Sequence, residues 1–265
     1  MLGETIDAPV LLTGRGGSGT RLLSQIAADA GIFIGSLNKT GDSTEWVKLI
    51  YRMSVEAGAQ PELPSGWRYR EQIQARAAQF LDQDAARHVP LWGLKLPEAM
   101  LVLPLLIDAF PRAKVVHLVR HPISSSLRRT HMTSRLNNPI GAVVLPAAYR
   151  YSNRDVARMA TDEPYLHNAC SWNFQVTRVA RYARAALGES RYLEVAYEDL
   201  CAEPSRVVAA VYSFLGCAAD ARETAIPVDL SRASAWDSHD PRADSIWEVC
   251  GETATLLGYQ RDRPR

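Results

Sequence analysis

Four cysteines are all that the 265 residues contain, and Cys170, Cys201, Cys217 and Cys250 stand far apart. None forms a C-x-x-C pair or lies at metal-ligand spacing from a histidine, which argues against a disulfide scaffold and the common zinc motifs. Neither sign of charge prevails: 30 Lys and Arg against 29 Asp and Glu leave a net charge of +1. That balance gives no general attraction to nucleic acid or an anionic membrane, so any anion must be met by local clusters. Arg15 with Arg21 is one cluster; Arg112, Lys114, Arg120, Arg128 and Arg129 form another. No run approaches the ~20 apolar residues of a membrane span, and no basic start leads into an apolar h-region. The expectation is a cytoplasmic protein with neither a nucleic-acid nor a membrane partner. Internal repeats, low-complexity tracts and linkers are also missing, and residues 1–265 read as a single domain. One further absence narrows the chemistry. Gly14 and Gly19 have Walker spacing and are followed by Thr20, yet the lysine between Gly19 and Thr20 is lacking.

What is present around that gap is informative. The apolar run Val10–Leu12 passes through Thr13 into Gly14-Arg15-Gly16-Gly17-Ser18-Gly19-Thr20-Arg21, and Leu22, Leu23, Ile26 and Ala27 then fall at helical spacing. Strand, glycine loop and helix together aim backbone N–H groups and a helix N-terminus at one anion. A glycine pair alone more often marks a tight turn. Here the flanking strand and helix, Ser18, Thr20 and the two arginines favour a phosphate. Without the lysine, and without an apolar strand ending in an aspartate for magnesium, the β- and γ-phosphates of ATP or GTP are disfavoured.

The rest of the chain alternates strands with helices. A helix is expected over 44–56, with Ser43 or Thr44 as its cap, and a longer amphipathic one over 69–87 after the breaks at Pro61, Pro64 and Gly66. Leu91–Leu96 reads as a strand, Pro97 opens a helix to about Phe110, and Lys114–Val119 is a buried strand of parallel type. Pro122 starts another helix. Asn137–Arg150, with two prolines and a glycine, reads as an irregular segment or lid. Helix 166–187, strand 192–195 and helix 204–215 follow. This order predicts an α/β fold with three layers around a central parallel sheet and right-handed crossovers.

A second anion site is expected where Val115–Val119 ends at Arg120. His121, Pro122 and the serines Ser124, Ser125 and Ser126 follow, and ligands gather at the carboxyl ends of such strands. An arginine fork with hydroxyls one turn on suits a phosphate. A surface arginine before an ordinary helix cap fits the same residues. His117, in mid-strand, reads as a core residue, and the tryptophans mostly as core, with Trp172 a possible lining of an acceptor pocket.

Taken together these segments resemble the PAPS-dependent sulfotransferases. Gly14–Leu23 is similar to the family's 5′-phosphosulfate loop, and Val115–Arg128 to its 3′-phosphate motif. Trp92-Gly93-Leu94-Lys95-Leu96-Pro97 is similar to its Lys-x-Pro strand, Arg191–Leu200 with Pro204…Gly216 to its strand-plus-helix segment, and Trp236…Tyr259 to the closing segment of bacterial members. Three positions depart from the family. Gly17 stands where a basic residue usually precedes the loop, Arg128 where the 3′-phosphate serine usually lies, and Ala196 where arginine is common. The resemblance implies a P-loop-like sulfotransferase architecture and 3′-phosphoadenosine 5′-phosphosulfate (PAPS) as donor, with no metal. It places the donor on Arg15, Gly16, Gly17, Ser18, Gly19, Thr20 and Arg21 at the 5′ end, and on Arg120, Ser124 and Arg128 at the 3′ phosphate.

Transfer to a hydroxyl or amine needs a base and positive charge over the departing oxygen. Asp42 is the candidate base, with Glu45 one turn on, although Asp42 could equally cap the 44–56 helix. Lys95 and Arg15 are the candidate cations, because a lysine inside an apolar strand is costly unless its ammonium meets an anion or snorkels from an edge. The acceptor is expected to be a small molecule or glycan. Two other readings stay open: a P-loop kinase of nucleosides or small molecules, and a nucleotide-binding protein without catalysis.

Overall fold

Among the described residues four parallel strands form one sheet: β1 (Val10–Thr13), β2 (Gly93–Lys95), β3 (Lys114–Val119) and β4 (Tyr192–Ala196), in the order β2-β1-β3-β4. The structure is a computed structural model and describes residues 6–60, 67–83, 86, 90–218 and 240–263. The helices are α1 (Arg21–Asp29), α2 (Thr44–Ala57), α3 (Trp67–Leu81), α4 (Leu103–Ala109), α5 (Pro122–Ser126), α6 (Pro139–Tyr151), α7 (Pro164–Ala186), α8 (Tyr197–Ala202), α9 (Pro204–Leu215) and α10 (Ala243–Leu256).

Neighbouring side chains of a strand point to opposite faces, and here each face fills its own core. Leu11, Leu94, Val115 and Val119 join Trp46 and Ile50 of α2, Val144 of α6, Trp172 of α7 and Ile246 of α10. Val10, Leu12, Val116 and Leu118 join Leu23 and Ile26 of α1 and Val208 and Val211 of α9. The result is helices, sheet and helices in three layers, as the alternation of elements predicts. Each buried Leu, Ile or Val adds about 1.5–3 kcal/mol.

The bounds of β3 and α9 are those expected, while other elements differ for identifiable reasons. The 137–150 segment is not irregular, because Pro139–Tyr151 is a helix. Asn138 caps it by accepting from the N–H groups of Ile140 and Gly141, and Pro139 occupies the first turn, where no N–H is needed. Pro146 lies inside the helix, whose face of Val144, Leu145, Ala148 and Tyr149 is buried. The helix expected from Pro97 splits into a 3₁₀ turn, Pro97–Val102, and α4. Pro104 lacks the N–H that would have continued it. β2 is shorter than Leu91–Leu96, with Trp92 making an isolated bridge to Phe33. α3 ends at Leu81; Arg87, the 61–66 breaks, His88, Trp236 and His239 lie outside the described residues.

From β1 the chain crosses to β2 on one side, and from β3 to β4 on the other. β1 and β3 therefore flank the point where the winding reverses, where open α/β sheets place their ligands.

Candidate active site

Every strand delivers a site element from its carboxyl end. β1 runs into the glycine loop, β2 ends on Lys95, β3 is followed by Arg120 and β4 by Tyr197.

The loop is closely packed. A Cβ on Gly14 would strike the Leu118 carbonyl, one on Gly16 would overlap the His131 ring, and one on Gly19 would overlap the Tyr197 ring. Gly19 also has φ of 90°, which a side chain resists. Ser18 N–H closes a turn onto the Arg15 carbonyl at 3.0 Å, while the buried Ser18 hydroxyl meets no partner. Arg15 does not face outward. It lies beneath the loop, 1% exposed, and donates to the Gly16 carbonyl, to Ser134 Oγ at 2.9 Å and to Asn168 Oδ1 at 2.8 Å. Burial draws its pKa down to about 10, which leaves it charged at neutral pH. Arg15 is thus a brace that also holds one positive charge under the loop.

The second site adjoins the first. Arg120 is 1% exposed; its Nε donates to Ser124 Oγ at 2.9 Å and its guanidinium stacks on Tyr197, 4.2 Å from the ring centroid. Tyr197 is the ring that Gly19 packs against, so the loop and Arg120 meet at one aromatic side chain. Burial lowers the Arg120 pKa, and the nearby charge of Arg128 lowers it further. Two cations close enough to perturb one another make a place that favours an anion. Ser125 and Ser126 carry buried hydroxyls without partners. Asn168 of α7 ties both halves together: it accepts from Arg15, and its Nδ2 donates to the carbonyls of Ser126 and Arg128. Trp172 does not line a pocket. It is buried, and its Nε1 donates to the Arg120 carbonyl at 3.0 Å.

At the end of β2, Lys95 Nζ donates to Asp42 Oδ1 at 2.7 Å and to the Thr40 carbonyl at 3.1 Å. Lys95 sits on an edge strand but is 1% exposed, so it meets an anion rather than snorkelling. Burial lowers its pKa, and Asp42 opposes that fall. Asp42 also accepts from Asn38 and Thr40 and does not cap α2. Ser43 holds the cap position, with its hydroxyl accepting from Lys95 N–H at 2.9 Å. Glu45 is turned to the Ser36 amide, 2.9 Å away.

Two residues of this region escaped the reading of the sequence. Glu98, one residue past Pro97, is 2% exposed, and burial lifts its pKa to about 7. His131 lies with Nε2 3.3 Å from Glu98 Oε1, and burial lowers its pKa to about 3, with the Arg15 charge acting the same way. The charges of both Asp42 and Lys95 act on Glu98. Two further histidines have internal partners. His117 Nδ1 faces the Tyr192 hydroxyl at 2.8 Å, and His121 Nε2 faces the Gln260 carbonyl at 2.9 Å. Glu198 of the Tyr-Glu-Asp-Leu segment accepts from His121 N–H and the Tyr259 hydroxyl, fastening the closing segment to the turn after β3.

A sequence profile of the "Sulfotransferase family" matches residues 9–221. The chain is 25% identical over 196 residues to carbohydrate sulfotransferase 5 of Mus musculus, covering 65% of this chain and 48% of that protein. It is 24% identical over 212 residues to carbohydrate sulfotransferase 6 of Homo sapiens, covering 70% and 52%. It thus spans about half the length of these curated relatives. The sulfotransferase domain from the Synechococcus PCC 7002 olefin synthase shares its fold, with a TM-score of 0.56 at 19% identity over 96% of this chain and 95% of that one. With most of its length matched by the profile, and with the loop, Lys-x-Pro strand and Arg120 turn meeting at one end of the sheet, this chain belongs to the sulfotransferase family.

Proposed function

We propose that this protein transfers a sulfuryl group from PAPS to a hydroxyl or amine on a glycan or other small acceptor. The observation that carries this is the meeting of the glycine loop and Arg120 on Tyr197, beside the Asp42–Lys95 pair. Two anion sites at the winding reversal suit a donor with phosphate at both ends, and the partnerless buried hydroxyls of Ser18, Ser125 and Ser126 fit phosphate oxygens. In this reading the Gly16–Arg21 loop, with Ser18 and Thr20, takes the 5′ end. Arg120, Ser124 and Arg128 take the 3′ phosphate. The acceptor gives its proton to Asp42 as its oxygen or nitrogen bonds to sulfur and the bridging S–O bond breaks. Lys95, with Arg15 beneath the loop, balances the negative charge left on the departing adenosine 3′,5′-bisphosphate. A glycan acceptor is suggested by the names of the two carbohydrate sulfotransferases, and the acceptor's identity is the part to be found by screening.

Calorimetric titration with adenosine 3′,5′-bisphosphate and, separately, with ATP and magnesium distinguishes this reading from a kinase. The first should bind and the second should not. Transfer of labelled sulfate from PAPS to a panel of hydroxylated acceptors tests the activity itself. Asp42→Ala should abolish transfer and leave the bisphosphate affinity within about threefold, because a general base acts on the acceptor and not on the nucleotide. Binding of ATP in preference to the bisphosphate would overturn the assignment.

A further inference from the structure

Glu98 is a buried acid that the proposed chemistry leaves unused. It stands on the 3₁₀ turn after β2, and its Oε1 is buried and lies 3.3 Å from His131 Nε2, off the line of a formed hydrogen bond. His131 Nδ1 lies 3.2 Å from Thr133 Oγ1 and 3.5 Å from the Thr133 N; in the tautomer in which it accepts from both, the ring proton sits on Nε2, the ring nitrogen nearest Glu98 Oε1. The same ring packs against Gly16, where an added Cβ would overlap its Cδ2 and Nε2, so that no side chain fits there. A chain of contacts thus runs from the phosphate loop through His131 to Glu98. The charged and titratable groups that face Glu98 are His131 from the segment after α5, Lys95 from β2, Asp42 from the preceding loop and Tyr51 from α2. Arg15 acts on His131, and Arg21 on Lys95.

We propose that Glu98 is a positioning residue of the transfer centre: as a carboxylate it holds His131 against Gly16 of the loop and keeps Lys95 charged. The first effect follows from the Nε2 proton, which needs an acceptor in a buried place. The second follows from burial, which pushes the Lys95 ammonium toward its neutral form unless negative charge opposes it. Asp42 supplies one such charge and Glu98 the second. A protonated Glu98 provides neither. Because burial lifts the Glu98 carboxyl to about 7, the change falls in the neutral range. The histidines of the site and its surroundings, held at about 3 for His131 and His117 and about 4 for His121, are already neutral there.

This inference rests on the sulfuryl-transfer reading, and the test separates the two. kcat for transfer from PAPS is measured from pH 5.5 to 9 in the wild type, Glu98→Gln and Glu98→Asp, alongside affinity for adenosine 3′,5′-bisphosphate. A single ionisation near 7 gives the wild type about a tenfold rise in kcat between pH 6 and pH 8. Glu98→Gln should be slow and vary less than about twofold over that span, and Glu98→Asp should restore a rising limb. A merely structural role would leave the profile's shape unchanged, and an unchanged shape overturns the proposal. Should the wild type transfer nothing from PAPS, or Glu98→Gln fail to fold, the ¹⁵N signals of His131 in the wild type decide. A shift at Nε2 with an inflection near pH 7 supports the contact with Glu98, and a signal flat through that range overturns it.

Discussion

Breaking the Asp42–Lys95 pair should cost stability and activity in separable ways. The ammonium and carboxylate lie 2.7 Å apart, with side-chain exposures of 1% for Lys95 and 12% for Asp42. At an effective dielectric of about 20 their attraction is about 6 kcal/mol, set against several kcal/mol of lost hydration per ion. The pair therefore adds little net stability, but removing one partner leaves the other poorly compensated. Asp42→Ala strands the deeper charge, with the Thr40 carbonyl bonded to it and Glu98 as its remaining negative neighbour, and should cost about 3–5 kcal/mol. That corresponds to a fall in Tm of about 10 °C for a chain of this size. Lys95→Met leaves Asp42 with Thr40, Asn38 and some water, and should cost about 1–3 kcal/mol. In the double variant no charge is stranded, so its cost should fall below the sum by about 2 kcal/mol. Urea unfolding of the four proteins at pH 7 gives the cycle. Transfer activity should be lost in both single variants and should not return in the double one. Additivity within about 0.5 kcal/mol would show that the two charges do not depend on one another, and the account of Lys95 as a buried, paired ammonium would fail.

Other perturbations address the two anion sites and the buried acid. Arg120→Ala should weaken adenosine 3′,5′-bisphosphate by about 1.5–3 kcal/mol, the usual worth of charged hydrogen bonds, and should affect adenosine 5′-phosphate far less; equal losses in calorimetry would place Arg120 elsewhere. Gly16→Ala drives a methyl into the His131 ring and should abolish bisphosphate binding, while Gly16→Ala with His131→Ala should regain part of it because the obstructing ring is gone. Folding stability should also register Glu98. Its carboxyl is raised from the ordinary 4.5 to about 7, so its contribution is complete below pH 4.5 and is lost as pH rises through about 7, by up to about 3 kcal/mol. Urea unfolding at pH 5 and pH 8 should show that loss in the wild type and not in Glu98→Gln.

The sequence disclosed most where a local pattern has one physical meaning. The apolar residues Val115, Val116, Leu118 and Val119 of β3 mark a strand buried on both faces, and its bounds came out as Lys114–Val119. The glycine loop was legible for a similar reason, since glycines between a strand and a helix mark a backbone that approaches something closely. Prolines misled where position outweighs composition. Pro139 opens α6 where an irregular segment is expected, and Pro104 divides a stretch after β2 that reads as one helix. Arg15 looked like a phosphate ligand because its partners are invisible locally: Ser134 and Asn168 lie 119 and 153 residues away. His131 sits in a polar stretch without periodicity, and only the folded chain lays it on Gly16.

Glu98 is different, because the reasoning that singled out Lys95 applies to it unchanged. Both charges interrupt one apolar run, Leu94-Lys95-Leu96-Pro97-Glu98-Ala99-Met100-Leu101-Val102, and a charge in such a run is tolerated only if something answers it. Asp42 answers Lys95 with a direct bond. Glu98 has no hydrogen bond to Oε1 and keeps a proton near neutrality instead. Two buried charges in one run, one paired and one held at the edge of ionisation, are costly for a scaffold and useful to a proton-dependent transfer. Stability at low pH and reactivity above pH 7 then become opposite sides of one ionisation, so a single substitution at Glu98 should flatten both pH dependences together.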